Sequence, residues 1–330
     1  MRPRLTVEQY TNGILAGDRS LLSQGITLVE STLAADRKLA KDLINHSMPH
    51  AGHSFRVAIT GVPGVGKSSF IEAIGSKIVE AGYKLAILAI DPSSSQSRGS
   101  ILGDKTRMQA LAQDPRVFIR PSPTAGTLGG VARSTRETIL LCEAAGFDFI
   151  IVETVGVGQS ETLVKQMTDF FMLLMLPGAG DELQGIKRGI IEMVDLMVIN
   201  KADGANVLAA ELAAKEYQSA LHYLSPSAIP PQVRICSALT HQGLDEIVNY
   251  LQGYYNTISD NGQLGLQRKR QQVAWMHAYL QQQFSELFYE NNSIKTRIEA
   301  IESGVMEGTL WPVEAAELLL SFFHNERKTQ

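Results

Sequence analysis

The chain has 330 residues, a formal net charge of −4, and 44% hydrophobic against 19% charged residues. This composition excludes disordered, collagen-like and disulfide-stapled classes. The slight acidity also excludes the broad basic field of a general nucleic-acid binder, while leaving room for one local anion site.

Residues 1–52 read as an N-terminal helical segment, because Leu15, Leu21, Leu22, Ile26, Leu28, Val29 and Leu33 recur at near-helical spacing. The opening residues lack the apolar core of a secretory signal, and no apolar run approaches the ~20 residues of a membrane span. We therefore expect a cytoplasmic protein without a membrane partner. From residue 53 the texture changes. Short apolar runs at 55–60, 85–91, 117–120, 147–153, 170–176, 196–200 and 233–237 are separated by amphipathic stretches. Those stretches lie at 67–81, 131–145, 160–168, 181–193, 205–224 and 244–255. Runs without polar alternation suit strands buried on both faces. Their alternation with helices predicts an α/β fold, a mostly parallel sheet flanked by helices, over residues 53–258. Ser259-Asp260-Asn261-Gly262 is turn-prone and closes that domain. Residues 259–330 read as helix only, at 266–289, 294–303 and 313–324, expected to pack on the core, on the N-terminal helices or on a second copy of the chain. Cys142 and Cys236 lie in apolar or strand-like stretches and read as small buried hydrophobes of a reducing compartment.

The chemistry is concentrated in a few motifs. Gly61-Val62-Pro63-Gly64-Val65-Gly66-Lys67-Ser68 matches the phosphate-binding loop G-x-x-x-x-G-K-[ST], with a strand running into it and a helix leaving through Ser69. Its glycines let backbone N–H groups curl inward, and the helix N-terminus adds its positive end. Lys67 is expected at the β- and γ-phosphates of a nucleoside triphosphate, and the Ser68 hydroxyl on Mg²⁺. Asn200-Lys201-Ala202-Asp203 follows another strand and gives the N-K-x-D pattern that reads guanine. One carboxylate accepts both guanine N1–H and the 2-amino group, whereas adenine offers an acceptor at N1 and would leave that carboxylate unpaired. Asn200 braces the loop, and the stem of Lys201 covers the base. Ser237-Ala238-Leu239 follows the next strand, where backbone N–H groups are expected at the guanine O6.

Asp91 closes the second strand and is a candidate Mg²⁺ carboxylate, with Asp104 in the Ser- and Gly-rich loop after it. That loop reads either as plain surface or as a switch ordered by metal and γ-phosphate. Glu153-Thr154-Val155-Gly156 stands where many GTPases have D-x-x-G; Glu153 would reach towards Mg²⁺ and the Gly156 N–H towards the γ-phosphate. Val157 takes the place of the usual catalytic glutamine, so slow intrinsic hydrolysis is expected. The Gly-rich, charged stretch 177–189 reads either as a loop with a solvated helix start or as a mobile element coupling nucleotide state to a partner. Its Lys187 joins Lys67, Glu153 and Gly156 as a candidate catalytic group.

Together GVPGVGKSSF, DPSSSQSRGSILGDKTRM, VETVGVGQSE, LPGAGDELQGIKRGIIEMVD and NKAD resemble the MeaB/ArgK family of P-loop G-proteins, of the SIMIBI class. The resemblance spans roughly residues 10–330. It implies a homodimeric, Mg²⁺-dependent GTPase. Dimerisation is expected through the C-terminal helical region, whose apolar positions, among them Val273, Met276, Leu280, Phe284 and Leu287, form a stripe longer than an isolated arm could keep dry. It further implies a chaperone of the adenosylcobalamin-dependent methylmalonyl-CoA mutase, gating cofactor loading and protecting that enzyme. The family's older label, an ATPase or protein kinase linked to arginine or ornithine transport, ranks second because Asn200 and Asp203 argue for guanine.

Overall fold

The computed structural model describes residues 4–31, 33–90, 108–121, 128–154, 161–178, 188–224 and 229–329. The chain divides into two compact units, Met1–Gln271 and Gln272–Gln330. In chain order the first unit carries α1 (Val7–Leu15), α2 (Arg19–Val29), α3 (Ala34–Ser47), β1 (Phe55–Gly61), α4 (Lys67–Glu80), β2 (Leu85–Ile90), α5 (Gln109–Gln113) and β3 (Val117–Arg120). There follow α6 (Leu128–Ala144), β4 (Phe149–Thr154), α7 (Glu161–Lys165), β5 (Phe170–Met175), α8 (Arg188–Ile191), β6 (Leu196–Ile199), α9 (Val207–Leu224), β7 (Gln232–Ile235) and α10 (Leu244–Asp260). Helix α11 (Gln263–Tyr289) starts in this unit.

The seven strands form one sheet in the order β3-β2-β4-β1-β5-β6-β7. Every pairing is parallel, so the expected mostly parallel sheet is wholly parallel among the described residues. The apolar texture of β5 and of β4 up to Val152 has its cause here, since both strands are buried throughout. β1 lies centrally between β4 and β5. The chain winds outward from it in both directions, and ligands of such sheets bind beyond the strand C-termini at that reversal.

The N-terminal helices have sound local reasons to form. Thr6 and Gln9 make a reciprocal capping box on α1, and Asp18 accepts from the Ser20 and Leu21 N–H groups to cap α2. Their apolar stripe, with Tyr10, Ile14, Leu22, Ile26 and Leu43, is buried in the same cluster as the sheet. Helix α10 runs to Asp260 rather than ending near 255: Tyr254 and Tyr255 pack on Phe55 at its expected end, and Ile258 beyond them is buried in the core. The turn-prone stretch thereby shrinks to Asn261–Gly262, where Gly262 adopts φ 75° before α11 begins.

The N-terminal ends of β1 and β5 are tied by a buried ion network. Glu143 on α6 accepts from both arms of the Arg56 fork (2.8 Å each), from Ser54 Oγ (2.6 Å) and from the Gly52 N–H (2.9 Å). Asp169 accepts from the Arg56 N–H (2.9 Å) and from Arg268 Nε and Nη2 (2.9 and 2.6 Å). Arg268 also donates to the carbonyls of Gly52 (2.6 Å) and Ser54 (2.5 Å). Burial alone would raise the Glu143 carboxyl. The Arg56 charge and the hydrogen bonds from Arg56 and Ser54 outweigh it and hold that carboxyl below its ordinary value.

The second unit holds the rest of α11 with α12 (Asn292–Lys295), α13 (Ile298–Met306) and α14 (Pro312–Thr329). Within it the Phe288 and Phe323 rings meet at 5.3 Å, Arg297 lies over Phe322, and Ile294 and Ala315 are buried. Val273, Met276, Leu280, Phe284 and Leu287 of α11 remain between 43% and 64% exposed. Among the described residues no helix is long and apolar enough to cross a membrane.

Candidate nucleotide-binding site

At its C-terminal end β1 passes directly into the glycine-rich loop, and α4 leaves from Lys67. The approach is tight: a Cβ on Gly61 would come within 2.7 Å of Leu174 O on the neighbouring strand. Gly66, the residue before α4, holds φ 85°, and no side chain caps the helix there. A side chain at Gly66 would be strained by that left-handed backbone and would press on Asn200 Nδ2 at 3.4 Å. The first-turn N–H groups of α4 are thus presented to the loop, the arrangement that attracts phosphate. Val62 and Val65 turn their side chains into the core, so they serve the loop through backbone alone.

Lys67 Nζ donates to Gly61 O at 2.9 Å across the mouth of the loop. Burial lowers its pKa, while the negative charges of Glu153 and Glu161 push it back up. Those two buried carboxylates therefore lie close enough to act on the loop lysine. Glu153 ends the central part of β4, opposite Ile59 of β1, and beyond it the Thr154 hydroxyl donates to Thr60 Oγ1 (2.8 Å). Mg²⁺ prefers hard oxygen donors and takes few from protein. The Ser68 hydroxyl and the Glu153 carboxylate at this loop suit that preference. Among the described residues no three His, Cys, Asp or Glu side chains gather around one point. Asp91, Asp104, Gly156 and Lys187 lie outside the described residues.

The N-K-x-D corner packs against the same loop. Asn200, 1% exposed, donates from Nδ2 to Val65 O (2.9 Å) and accepts at Oδ1 from the Ala238 N–H (3.1 Å). Lys201 holds φ 61° and donates from Nζ to Gly64 O (2.8 Å). Ser237 Oγ donates to Asp203 Oδ2 at 2.5 Å and accepts from the Thr240 N–H at 3.1 Å, which fixes the carboxylate. The Ser237 N–H, expected at the base, donates to Gln242 O (3.0 Å). Asn200, Lys201, Asp203, Ala238 and the 82% exposed Leu239 line, with Gly66 and Ser69, a cleft of about 640 Å³. The structure thus brings together one end that suits phosphate and one end that suits a base with two donors on one edge.

The motifs do not contain every residue at the cleft. Glu72 and Ser76 line it from α4, one and two turns beyond the loop. With Ser69 and Ala73 they follow the three- and four-residue spacing of one helical face, a signal a motif ending at Ser69 does not read. Glu161, buried at the start of α7, closes the VETVGVGQSE motif without standing among its expected site residues; its signal is a carboxylate at a helix start after GQS. His241, at φ 63°, and Lys201 are the positive-φ residues other than glycine among the described residues, and both line this cleft.

Known proteins share this sequence and fold. The family model described as methylmalonyl Co-A mutase-associated GTPase MeaB matches residues 22–293. A putative GTPase of Caulobacter vibrioides is 47% identical over 325 residues, covering 98% of this chain and 99% of that one. The methylmalonic aciduria type A homolog, mitochondrial, of Mus musculus is 45% identical over 330 residues, covering 96% and 79%. The crystal structure of a LAO/AO transport system kinase superposes with a TM-score of 0.76 at 35% identity, covering 98% of this chain and 99% of that one. With a family match over most of its length and a relative 47% identical that it covers nearly end to end, the chain belongs to the methylmalonyl Co-A mutase-associated GTPase MeaB family.

Proposed function

We propose that this GTPase is a Mg²⁺-dependent G-protein chaperone of methylmalonyl-CoA mutase, assisting its assembly, cofactor loading and protection, and that it acts as a cytoplasmic homodimer. The observation that carries the nucleotide part is the pair of hydrogen bonds from Asn200 and Lys201 to the carbonyls of Val65 and Gly64. They fix a guanine-reading corner to a phosphate loop at one distance, so a single ligand has to satisfy both. In this reading Asp203 accepts from guanine N1–H and the 2-amino group, and the Lys201 stem covers the ring. The α4 N-terminus and Lys67 hold the β- and γ-phosphates. Water attacks the γ-phosphorus, the bond to the β–γ bridging oxygen breaks, and GDP and inorganic phosphate leave. Lys67 meets the charge that accumulates on the bridging oxygen, and the fields of Glu153 and Glu161 help keep it cationic. Ser68 and Glu153 would hold Mg²⁺, with Asp91 and Asp104 as further candidates; when bound, the ion neutralises phosphate charge. Gly156 and Lys187 complete the proposed catalytic set.

The partner reading rests on family membership. The homodimer reading is supported by the apolar α11 face, where five large side chains stay 43–64% exposed. Free, buried Cys142 and Cys236 suit a reducing compartment. No nucleic acid or membrane enters this reading. The similarity to the LAO/AO transport system kinase favours a second reading, an ATP-dependent kinase serving transport. A carboxylate at Asp203 opposes it, because adenine would leave that charge unpaired.

One titration separates the two. GTP, XTP and ATP affinities are compared for the parent and Asp203→Asn, with turnover measured in the presence and absence of the mutase. The parent should prefer GTP over ATP, and Asp203→Asn should lose roughly a hundredfold or more of GTP affinity while gaining XTP. Mutase should accelerate GTP turnover. ATP preference with phosphoryl transfer to a protein would establish the kinase reading instead.

A further inference from the structure

Beyond β7 the chain passes through Cys236 into the Ser237-Ala238-Leu239 corner. The Cys236 N–H donates to Ile199 O (2.9 Å), and Cys236 O accepts from the Ala202 N–H (3.0 Å). Its main chain therefore grips the base-side corner immediately before and after Asn200–Lys201. The side chain is 2% exposed, and its Sγ lies 3.7 Å from Asn200 Oδ1, within reach of a thiol hydrogen bond. As a small buried hydrophobe Cys236 would only fill space, yet its one polar atom faces the residue that joins the two ends of the site.

The direction of that bond follows from its neighbours. Asn200 Nδ2 is committed to Val65 O, so Oδ1 must face the other way, and there it meets the Ala238 N–H and the thiol. A carbonyl oxygen has two lone pairs, and these two donors use both. Burial pushes the thiol up to about 12, so Cys236 keeps its proton and meets Oδ1 as a donor. Reversing the amide would set Nδ2 against two donors and Oδ1 against a carbonyl.

We propose that Cys236 is a positioning residue for guanine binding: its S–H donates to Asn200 Oδ1 and holds the carboxamide in the orientation that couples the phosphate loop to the base corner. The assignment rests on the reading of Asn200 and Asp203 as the guanine-binding corner. It makes the thiol a donor that hydroxyl can replace and methyl cannot.

The test compares Cys236→Ala with Cys236→Ser, each also made with Asn200→Ala, reading GTP and ATP dissociation constants together with urea unfolding. Ala and Ser both remove the sulfur, so its lost volume is common to the two variants. Cys236→Ala should weaken GTP by roughly two- to tenfold, the range of one net hydrogen bond. Cys236→Ser should stay within about twofold of the parent. In the Asn200→Ala background, Cys236→Ala should change GTP affinity by less than about twofold, because the effect acts through Asn200. The Cys236→Val and Cys236→Thr pair repeats the comparison with the space filled, and serves if the smaller side chains unfold the protein. Equal loss in the Ser and Ala variants, or equal loss with and without Asn200, in a guanine-selective parent overturns the assignment alone. A parent that binds ATP as tightly as GTP overturns the base reading, and this assignment with it.

Discussion

Replacing Arg268 with Ala removes four hydrogen bonds, two to Asp169 and one each to the carbonyls of Gly52 and Ser54. The Asp169 side chain is 0% exposed, so its charge stays buried, with the Arg56 N–H still donating to it. Breaking a buried pair from one side costs about 3–5 kcal/mol, because the surviving charge is not rehydrated. With a urea slope of roughly 3 kcal/mol/M, the upper end of the small-protein range, that is about 1–1.7 M in the midpoint. Urea unfolding followed by far-UV circular dichroism measures it. GTP affinity should hold, since β1 runs from this network at Phe55 to the phosphate loop at Gly61, and the two lie at opposite ends of the strand. The double variant Arg268→Met, Asp169→Leu should recover much of the loss by removing both charges. A destabilisation below about 1 kcal/mol in Arg268→Ala would refute the reasoning, because the network would then be rehydrated or idle. The same network sets an acid limit. Glu143 titrates below its ordinary 4.5 in the folded state, so its contribution is full above that value and lost as pH falls through the folded one. Arg268 is among the charges that lower it, so the variant should lose less of its remaining stability on acidification than the parent.

At the phosphate end, Lys67→Ala and Ser68→Ala should each cut GTP turnover at least a hundredfold with far-UV circular dichroism unchanged; Mg²⁺-dependent hydrolysis surviving in Lys67→Ala would disprove the assignment. Cutting the chain after Gln271 keeps Arg268 and should give a monomer by light scattering that still binds GTP. Cutting after Asn261 removes Arg268 and should also lower the urea midpoint, as Arg268→Ala does.

The parts of this molecule that a reader of the sequence finds first are those encoded within a few neighbours. The phosphate loop needs eight consecutive residues, and the N-K-x-D corner four. The central strands of the sheet are legible because burial on both faces leaves them few polar residues, as in Phe170–Met175. What is not legible depends on partners far apart. The Arg56–Glu143 and Arg268–Asp169 pairs span 87 and 99 residues, and no local pattern marks them. The end of α10 lies beyond its sequence-based position for the same kind of reason, since Ile258 is buried in a core built from distant parts of the chain. Cys236 is easily misread, because the sequence says only that it is buried and not which atom it faces.

The bond between Asn200 and Val65 joins residues 135 apart. During synthesis the phosphate loop leaves the ribosome long before its other half exists. β1 and β2 are not neighbours in the sheet, because β4 lies between them, so β1 has no lateral partner in its final place until residues 149–154 emerge. Such non-local pairing is slow and leaves apolar strand edges open in the meantime. A nascent chain of this protein therefore passes through a period in which it carries a phosphate motif but no means of choosing a base. On the proposed reading of the Asn200 corner, selectivity arrives late, when β6 docks beside β5 and that corner closes over the loop.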